Sequence, residues 1–142
     1  MALNPGRRQQ HEAACATLVV DFANYIDSRR YAELVDLFAP DGQLDRLGTV
    51  FSGRDEISRF LEARSPEVVT RHLCTNVRVD VASEDEASGL SYVLFFSATP
   101  GAGATLPVSA SPPSIVEWHD KFCRVGDDWK IRERQIRSIF KA

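Results

Sequence analysis

Between His11 and Ala39 the apolar positions Ala14, Leu18, Val19, Phe22, Ile26, Leu34, Leu37 and Phe38 recur at helical intervals, the pattern of helices that lay one face on a core. The polar run DSRR, residues 27–30, interrupts the series, so two helices are predicted in succession. APDG, Ala39–Gly42, has the composition of a turn, and its proline and glycine predict the end of the second helix. A short strand pair is expected around Gln43–Phe51. SGRDEISRFLEAR sets a serine and early acids before Ile57, Phe60 and Leu61 on one face, which predicts a third, short helix. Past Pro66 the period changes to two. Strands are expected at Val68–Val81, Ala87–Thr99, Ser114–Val125 and Trp129–Ile139.

Helices first and sheet last is an α+β order, and a long sheet curled around the N-terminal helices would leave a pocket between them. SEDEAS and VGDDW are turns between antiparallel neighbours, whereas residues 99–113, TPGAGATLPVSASPP, form a long surface loop. Its glycines lack the GKS/T of a phosphate-binding loop. In SIVEWHDKF, alternation sets Val116, Trp118 and Phe122 against Glu117, His119 and Lys121. The bulky set is expected on an outer face that meets a partner subunit.

A chain of 142 residues fits one domain, 1–142, with residues 1–10 expected to be flexible. Its 17 basic and 20 acidic residues give a net charge of -3, which offers no broad cationic footprint for nucleic acid. The basic run KIRERQIRSIFK is interleaved with isoleucines and reads as a strand with a solvated face. Cys15, Cys74 and Cys123 are odd in number and widely spaced, so neither a disulfide framework nor a cysteine zinc site is indicated. The N-terminal segment lacks a signal peptide's apolar stretch, and no run approaches the roughly 18 apolar residues of a membrane span. A soluble cytoplasmic protein is expected, with no membrane partner.

Chemistry enters with TRHLCTNVRV, Thr70–Val79, which sets one of 3 histidines in a run rich in threonine and valine. A strand holds an imidazole rigidly, and its ordinary pKa of about 6.5 suits proton transfer near neutral pH. The residues alone leave His72 open between a catalytic base and a buried polar group. Phe22, Leu44, Cys74, Phe95 and Trp118 are candidate core or pocket-lining positions, depending on strand register and bulges. Tyr25 and Tyr92 can offer a hydroxyl to a ligand oxygen. Asn76 is expected as a buried strand amide presenting its polar groups to a ligand, although a bulge accounts for it equally. His11 lies in a polar segment and His119 shares a face with Glu117 and Lys121, so neither is taken as a catalyst. Nothing resembles HExxH, and no metal site is expected.

YIDSRRYAELVDLFAPDGQLDR, GRDEISRFL, TRHLCTNVRVDV, SYVLFFSA and DWKIRERQI together resemble the nuclear-transport-factor-2-like superfamily in its SnoaL-like branch, over roughly Glu12 to Ile139. The resemblance implies a cone, in which a strongly curved mixed β-sheet wraps around three helices and leaves an apolar pocket at its wide end. It also implies the scytalone-dehydratase-like pairing of an aspartate late in the first helix with a histidine opening the long third strand, places held here by Asp27 and His72. A carboxylate on one imidazole nitrogen fixes the tautomer and leaves the other nitrogen free to take a proton. Ile26 and Arg46 stand where those dehydratases carry tyrosines, and Ser97 stands near their second histidine. Arg46 also takes the place of the ketosteroid-isomerase base, and an arginine cannot accept a proton, although it can polarise a carbonyl or neutralise a carboxylate.

The implied activity is that of a cofactor-independent lyase (dehydratase) or isomerase acting on a small cyclic, aromatic or polyketide-like ketone or alcohol. In it His72 is the base, Asp27 orients the ring, and Arg46 or Tyr25 meets the enolate oxygen. TRHLxTNVRV with a final WxIxxRxI is also similar to the small subunits of aromatic-ring-hydroxylating dioxygenases. That implies an alternative: a noncatalytic ligand-binding or assembly protein in which Asp27 and His72 tie a helix to the sheet. A homodimer is expected, and the small-subunit resemblance keeps a trimer open.

Overall fold

The computed structural model describes residues 3–142. Its elements run α1 (Pro5–Asp27), α2 (Tyr31–Asp36), β1 (Phe38–Arg46), β2 (Thr49–Ser52), α3 (Gly53–Glu62), β3 (Val69–Val81), β4 (Glu86–Ala98), β5 (Ser114–Val125) and β6 (Asp128–Phe140). The strands form one sheet in the order β2-β1-β6-β5-β4-β3. β1 runs parallel to β6 and the other neighbours are antiparallel, so the sheet is mixed. The α+β order and the change of period after Pro66 are as the sequence predicts.

Helix α1 starts earlier than expected. Asn4 accepts the Arg7 N–H at 2.8 Å, and Pro5 occupies the first turn, where a missing donor goes unnoticed. From Pro5 onward the flexible segment expected over 1–10 is corrected to helix; residues 1–2 lie outside the described residues. His11, read as part of a polar tail, is only 3% exposed. The buried stripe is His11, Cys15, Leu18, Val19, Phe22, Ala23 and Ile26, a helical series whose first member is polar and so went unread. Arg29, at φ 60°, adopts the left-handed conformation just beyond the helix and turns the chain towards α2.

APDG is not a free turn but lies inside β1. Phe38 pairs with Ile131 and Gln43 with Glu133, so the extra residues bulge out of the strand between these two pairs. A side chain at Gly42 would meet the Ala39 and Ile131 carbonyl oxygens at 3.0 Å, which is why a glycine stands there. Arg54 of α3 secures the bulge by donating to the Phe38 carbonyl from Nε and Nη2 at 3.1 and 2.7 Å.

The helices cover one face of the sheet. Its buried side chains include Leu44, Val93, Trp118, Phe122 and Ile131, packed against Phe22 and its neighbours on α1. The expectation for β5 is therefore corrected in direction. Trp118, at 1% exposed, faces the helices together with Val116 and Phe122, while the outer face carries Glu117, His119 and Lys121. The alternation was legible; which side met the core was decided by α1, whose Phe22 ring packs edge-on to Trp118 at 5.1 Å.

Candidate active site

Asp27 is the last residue of α1, and the covered face of β3 presents Thr70, His72 and Cys74 in alternation. The His72 ring nitrogen Nδ1 lies 2.6 Å from Asp27 Oδ1, and the His72 main-chain N–H donates to Oδ2 at 2.8 Å. The Thr70 hydroxyl donates to Oδ1 at 2.8 Å. That hydroxyl also accepts from Arg64 Nη2 at 3.3 Å, so its one proton is committed to Asp27. Arg64 is fixed in turn, because its Nη1 donates to the Tyr31 hydroxyl at 2.7 Å and to the Ile26 carbonyl at 3.2 Å.

These contacts set the protonation of the dyad. Burial pushes the Asp27 carboxyl up, but the hydrogen bonds from the His72 ring and N–H, the His72 charge and the Thr70 hydroxyl outweigh it, leaving the carboxyl below its ordinary range. An ionised carboxylate can only accept. In the neutral imidazole the proton therefore sits on Nδ1, and Nε2 keeps its lone pair.

His72 lines a cavity of about 320 Å³. Its ring lies tilted against Phe95, with centroids 4.8 Å apart, and against Trp118 at 5.8 Å. Phe95 is the cross-strand partner of His72 on one side and of Ser114 on the other, so the site is built by strand register. Val116 and Ile136 complete the apolar wall, Ser114 and Ser138 add hydroxyls, and Arg46, Leu47, Lys141 and Ala142 also line the cavity. Among the described residues Nε2 of His72 has no hydrogen-bond partner. A larger concavity of about 520 Å³ lies among Arg78, Asp80, His119, Lys121, Glu133 and Arg137, largely on the outer face. Near it His119 Nε2 contacts Glu117 Oε1 at 2.9 Å beside Leu90 and Tyr92, but the His119 and Glu117 side chains are 32% and 23% exposed, against 12% and 11% for His72 and Asp27. We take the His72 cavity as the site for that reason.

The structure brings together Asp27, His72, Arg46, Phe95 and Trp118 from the residues singled out in the sequence. Others fall elsewhere. Phe22 and Leu44 are core beneath the site. Tyr25 does not line the cavity; the Arg30 guanidinium sits over its ring at 4.8 Å. Cys74 shares the His72 face but packs against the core, and burial pushes its thiol up, Arg134 pulling against this while Asp27 and Asp120 add to it. It behaves as a small hydrophobe rather than a thiolate. Of the two alternatives for Asn76 the bulge holds and the buried, ligand-facing amide does not: the residue is exposed at φ 51°, inside the β3 bulge between Thr75 and Arg78. Ser97 pairs with Thr70 but lies in a separate groove with Leu106 and Val108 of the 99–113 loop. His72 and His119 occupy opposite faces and cannot share a ligand. Among the described residues no cluster of histidine, cysteine and acid side chains is arranged to hold a metal ion.

Sequence reasoning missed Thr70 and Arg64 behind Asp27, and Val116, Ile136, Ser138 and Lys141 around the cavity. Val116 was placed on the wrong side of the sheet. The parity of β6 was hidden by a bulge.

Below the cavity lies a fully buried ion pair. Arg134 on β6 donates from Nε to Asp120 Oδ1 at 2.7 Å and from Nη2 to Oδ2 at 2.8 Å. Its guanidinium is flanked by the Trp118 ring at 4.0 Å and the Phe22 ring at 4.4 Å. Burial, with Asp120 adding to it, pushes the Cys15 thiol up to about 12.

Comparison with known proteins bears on the fold first. A candidate scytalone dehydratase from Novosphingobium aromaticivorans superposes with a TM-score of 0.82 at 23% identity, over 96% of this chain and 89% of that one. A type 2 hexachlorocyclohexane dehydrochlorinase, LinA, gives 0.82 at 17% identity over 96% and 90%. A candidate dehydratase of the NTF2-like family from Streptomyces avermitilis gives 0.75 at 18% over 91% and 97%. A search of curated protein sequences finds no match. The family model described as the SnoaL-like domain matches residues 7–135, nearly the whole chain, and the protein belongs to that family.

Proposed function

We propose that the chain is a lyase of the dehydratase kind, or an isomerase using the same base, acting on a small cyclic or aromatic ketone or alcohol in the His72 cavity. The observation that carries this reading is the 2.6 Å contact between His72 Nδ1 and Asp27 Oδ1, on a ring whose other nitrogen has no partner among the described residues and which lines an apolar cavity. In a dehydration, Nε2 takes the proton from the carbon beside the carbonyl, and the C–H electron pair moves into the new double bond. The hydroxyl on the next carbon leaves with its own bonding pair and takes the proton back from Nε2–H as water. The Nδ1 proton stays on the ring, accepted as a hydrogen bond by ionised Asp27, which faces the imidazolium formed in between. Arg46, Ser114 and Ser138 are the cavity donors available to a developing enolate oxygen. The names of the structural relatives, dehydratase and dehydrochlorinase, denote eliminations, which fits a base-first reaction.

A second reading is supported by the same geometry. The His72 main-chain N–H donates to Asp27 Oδ2, a tie between α1 and β3 that needs no chemistry. A noncatalytic binding or assembly protein would keep the dyad for that reason alone. Turnover of small cyclic β-hydroxy ketones by purified protein, followed by H72A, H72N and D27N, separates the two. The base reading expects a loss of at least about 100-fold in kcat for each of the three with the fold retained. The structural reading expects stability to fall by about 1–3 kcal/mol, with ligand binding kept in the folded fraction. Undiminished turnover in folded H72A would overturn the first.

A further inference from the structure

We propose that the mouth of the His72 cavity receives a carboxylate, so that the ligand is a compact ring-bearing acid held by Arg46 and Lys141. This rests on the reading of the cavity as the substrate site and adds the substrate's charge to it. Arg46 is placed by register. It follows Leu44 on the covered face of β1 and pairs with Thr49 across the two-residue turn Leu47–Gly48. Both turn residues have positive φ, 55° and 97°, and Asp45 Oδ1 accepts the Gly48 N–H at 2.9 Å, so the hairpin that carries Arg46 is well defined. β6 runs parallel to β1 and reaches the same rim, where Lys141 follows its last residue.

The side-chain charges at this rim are one-sided. Among the described residues no acidic side chain lines the cavity, and Asp27 behind it is engaged by three hydrogen bonds. Among the described residues neither Arg46 nor Lys141 has a carboxylate partner; Arg46 has only the Phe60 ring, 5.7 Å from its guanidinium carbon. In a chain of net charge -3 a cationic rim over the apolar wall of Phe95, Val116 and Trp118 is a local reversal of sign. A guanidinium fork matches a carboxylate in two hydrogen bonds, and the apolar wall takes the skeleton. The volume of about 320 Å³ stands at the small end of the roughly 300–1,000 Å³ of ligand cavities, which limits the skeleton to about one or two rings.

The test compares 2-naphthoate with its neutral near-isostere 2-naphthamide, read by quenching of tryptophan fluorescence and by calorimetry at low salt. The intact protein should bind the acid roughly tenfold more tightly, and added salt should narrow the gap. R46Q with K141Q should abolish the preference, so that the double variant binds acid and amide equally. Equal binding of both probes by the intact protein overturns the proposal, as does a preference that survives the double substitution. Failure of both probes to bind overturns it together with the cavity as substrate site. H72A should keep the preference. A preference retained in H72A alongside undiminished H72A turnover supports the carboxylate site while the base reading fails.

Discussion

Thr70 has one proton and a neighbour on each side, and Arg64, which can only donate, decides where that proton points. Thr70→Val is nearly isosteric and removes the donor from Asp27 Oδ1 while leaving both His72 contacts in place. The Asp27 carboxyl, held low by these bonds, should titrate higher in T70V, and T70S should restore it. The linkage follows from the sign of the shift. A carboxyl whose folded pKa lies below its unfolded value of about 3.9 contributes stability that is present above that value and lost as the pH falls through the folded pKa. T70V should therefore lose this contribution at higher pH and begin acid unfolding earlier. Carboxyl carbon NMR of Asp27 and an acid titration by circular dichroism read the two effects. An Asp27 titration unchanged in T70V would show that the hydroxyl proton goes elsewhere.

At the scale of elements, strands and helices were largely legible, and what escaped were the places where a bulge changes parity. Strict alternation from Trp129 would put residues 131, 133 and 135 on the covered face and Arg134 in water. In β6 the register shifts, with Ile131 opposite Phe122 and Glu133 opposite Lys121, so that Arg134, Ile136 and Ser138 turn inward instead. That one irregularity hid two cavity residues and the buried ion pair. The Asp27 and His72 pairing was legible only through family resemblance, since the two are separated by 45 positions. Thr70 and Arg64 carry no local signal at all. The hidden pair has a measurable consequence. Arg134→Met leaves Asp120 charged and buried without its fork, at a cost of about 3–5 kcal/mol. Asp120→Leu strands Arg134 similarly. The double variant should lie closer to the intact protein than either single one, because the penalty belongs to the lone charge. Urea unfolding of the four proteins completes the cycle, and additive losses would mean that the two side chains do not act as a pair.

Across the whole molecule α1 acts as a beam fastened at both ends. Its 23 residues span roughly 34 Å. At the C-terminal end Asp27 holds the start of β3. At the N-terminal end Arg8 Nη1 donates to the Val81 carbonyl at 2.5 Å, Arg7 and His11 reach Glu84 in the turn after β3, and Trp129 Nε1–H on β6 donates to His11 Nδ1 at 2.9 Å. An indole can only donate, so the His11 proton sits on Nε2, facing Glu84. β3, which carries His72, and β6, which carries Ile136 and Ser138, are thus both secured to one helix far from the cavity. Removing the acceptor in H11L leaves the buried Trp129 N–H unpaired and should lower stability by about 1–3 kcal/mol; H11N, which can offer an oxygen near the Nδ1 position, should lose less. Urea unfolding followed by Trp129 fluorescence reads this as a lower midpoint with an unchanged slope. The dyad should not feel the change, because Asp27 is held by Thr70 and His72 themselves and not by the remote end of its helix. The Asp27 titration in H11L should accordingly overlay that of the intact protein, whereas in T70V it should not. If it shifted in H11L as well, the two ends of α1 would be coupled, and the N-terminal anchor would have to be counted among the groups that set the protonation of the site.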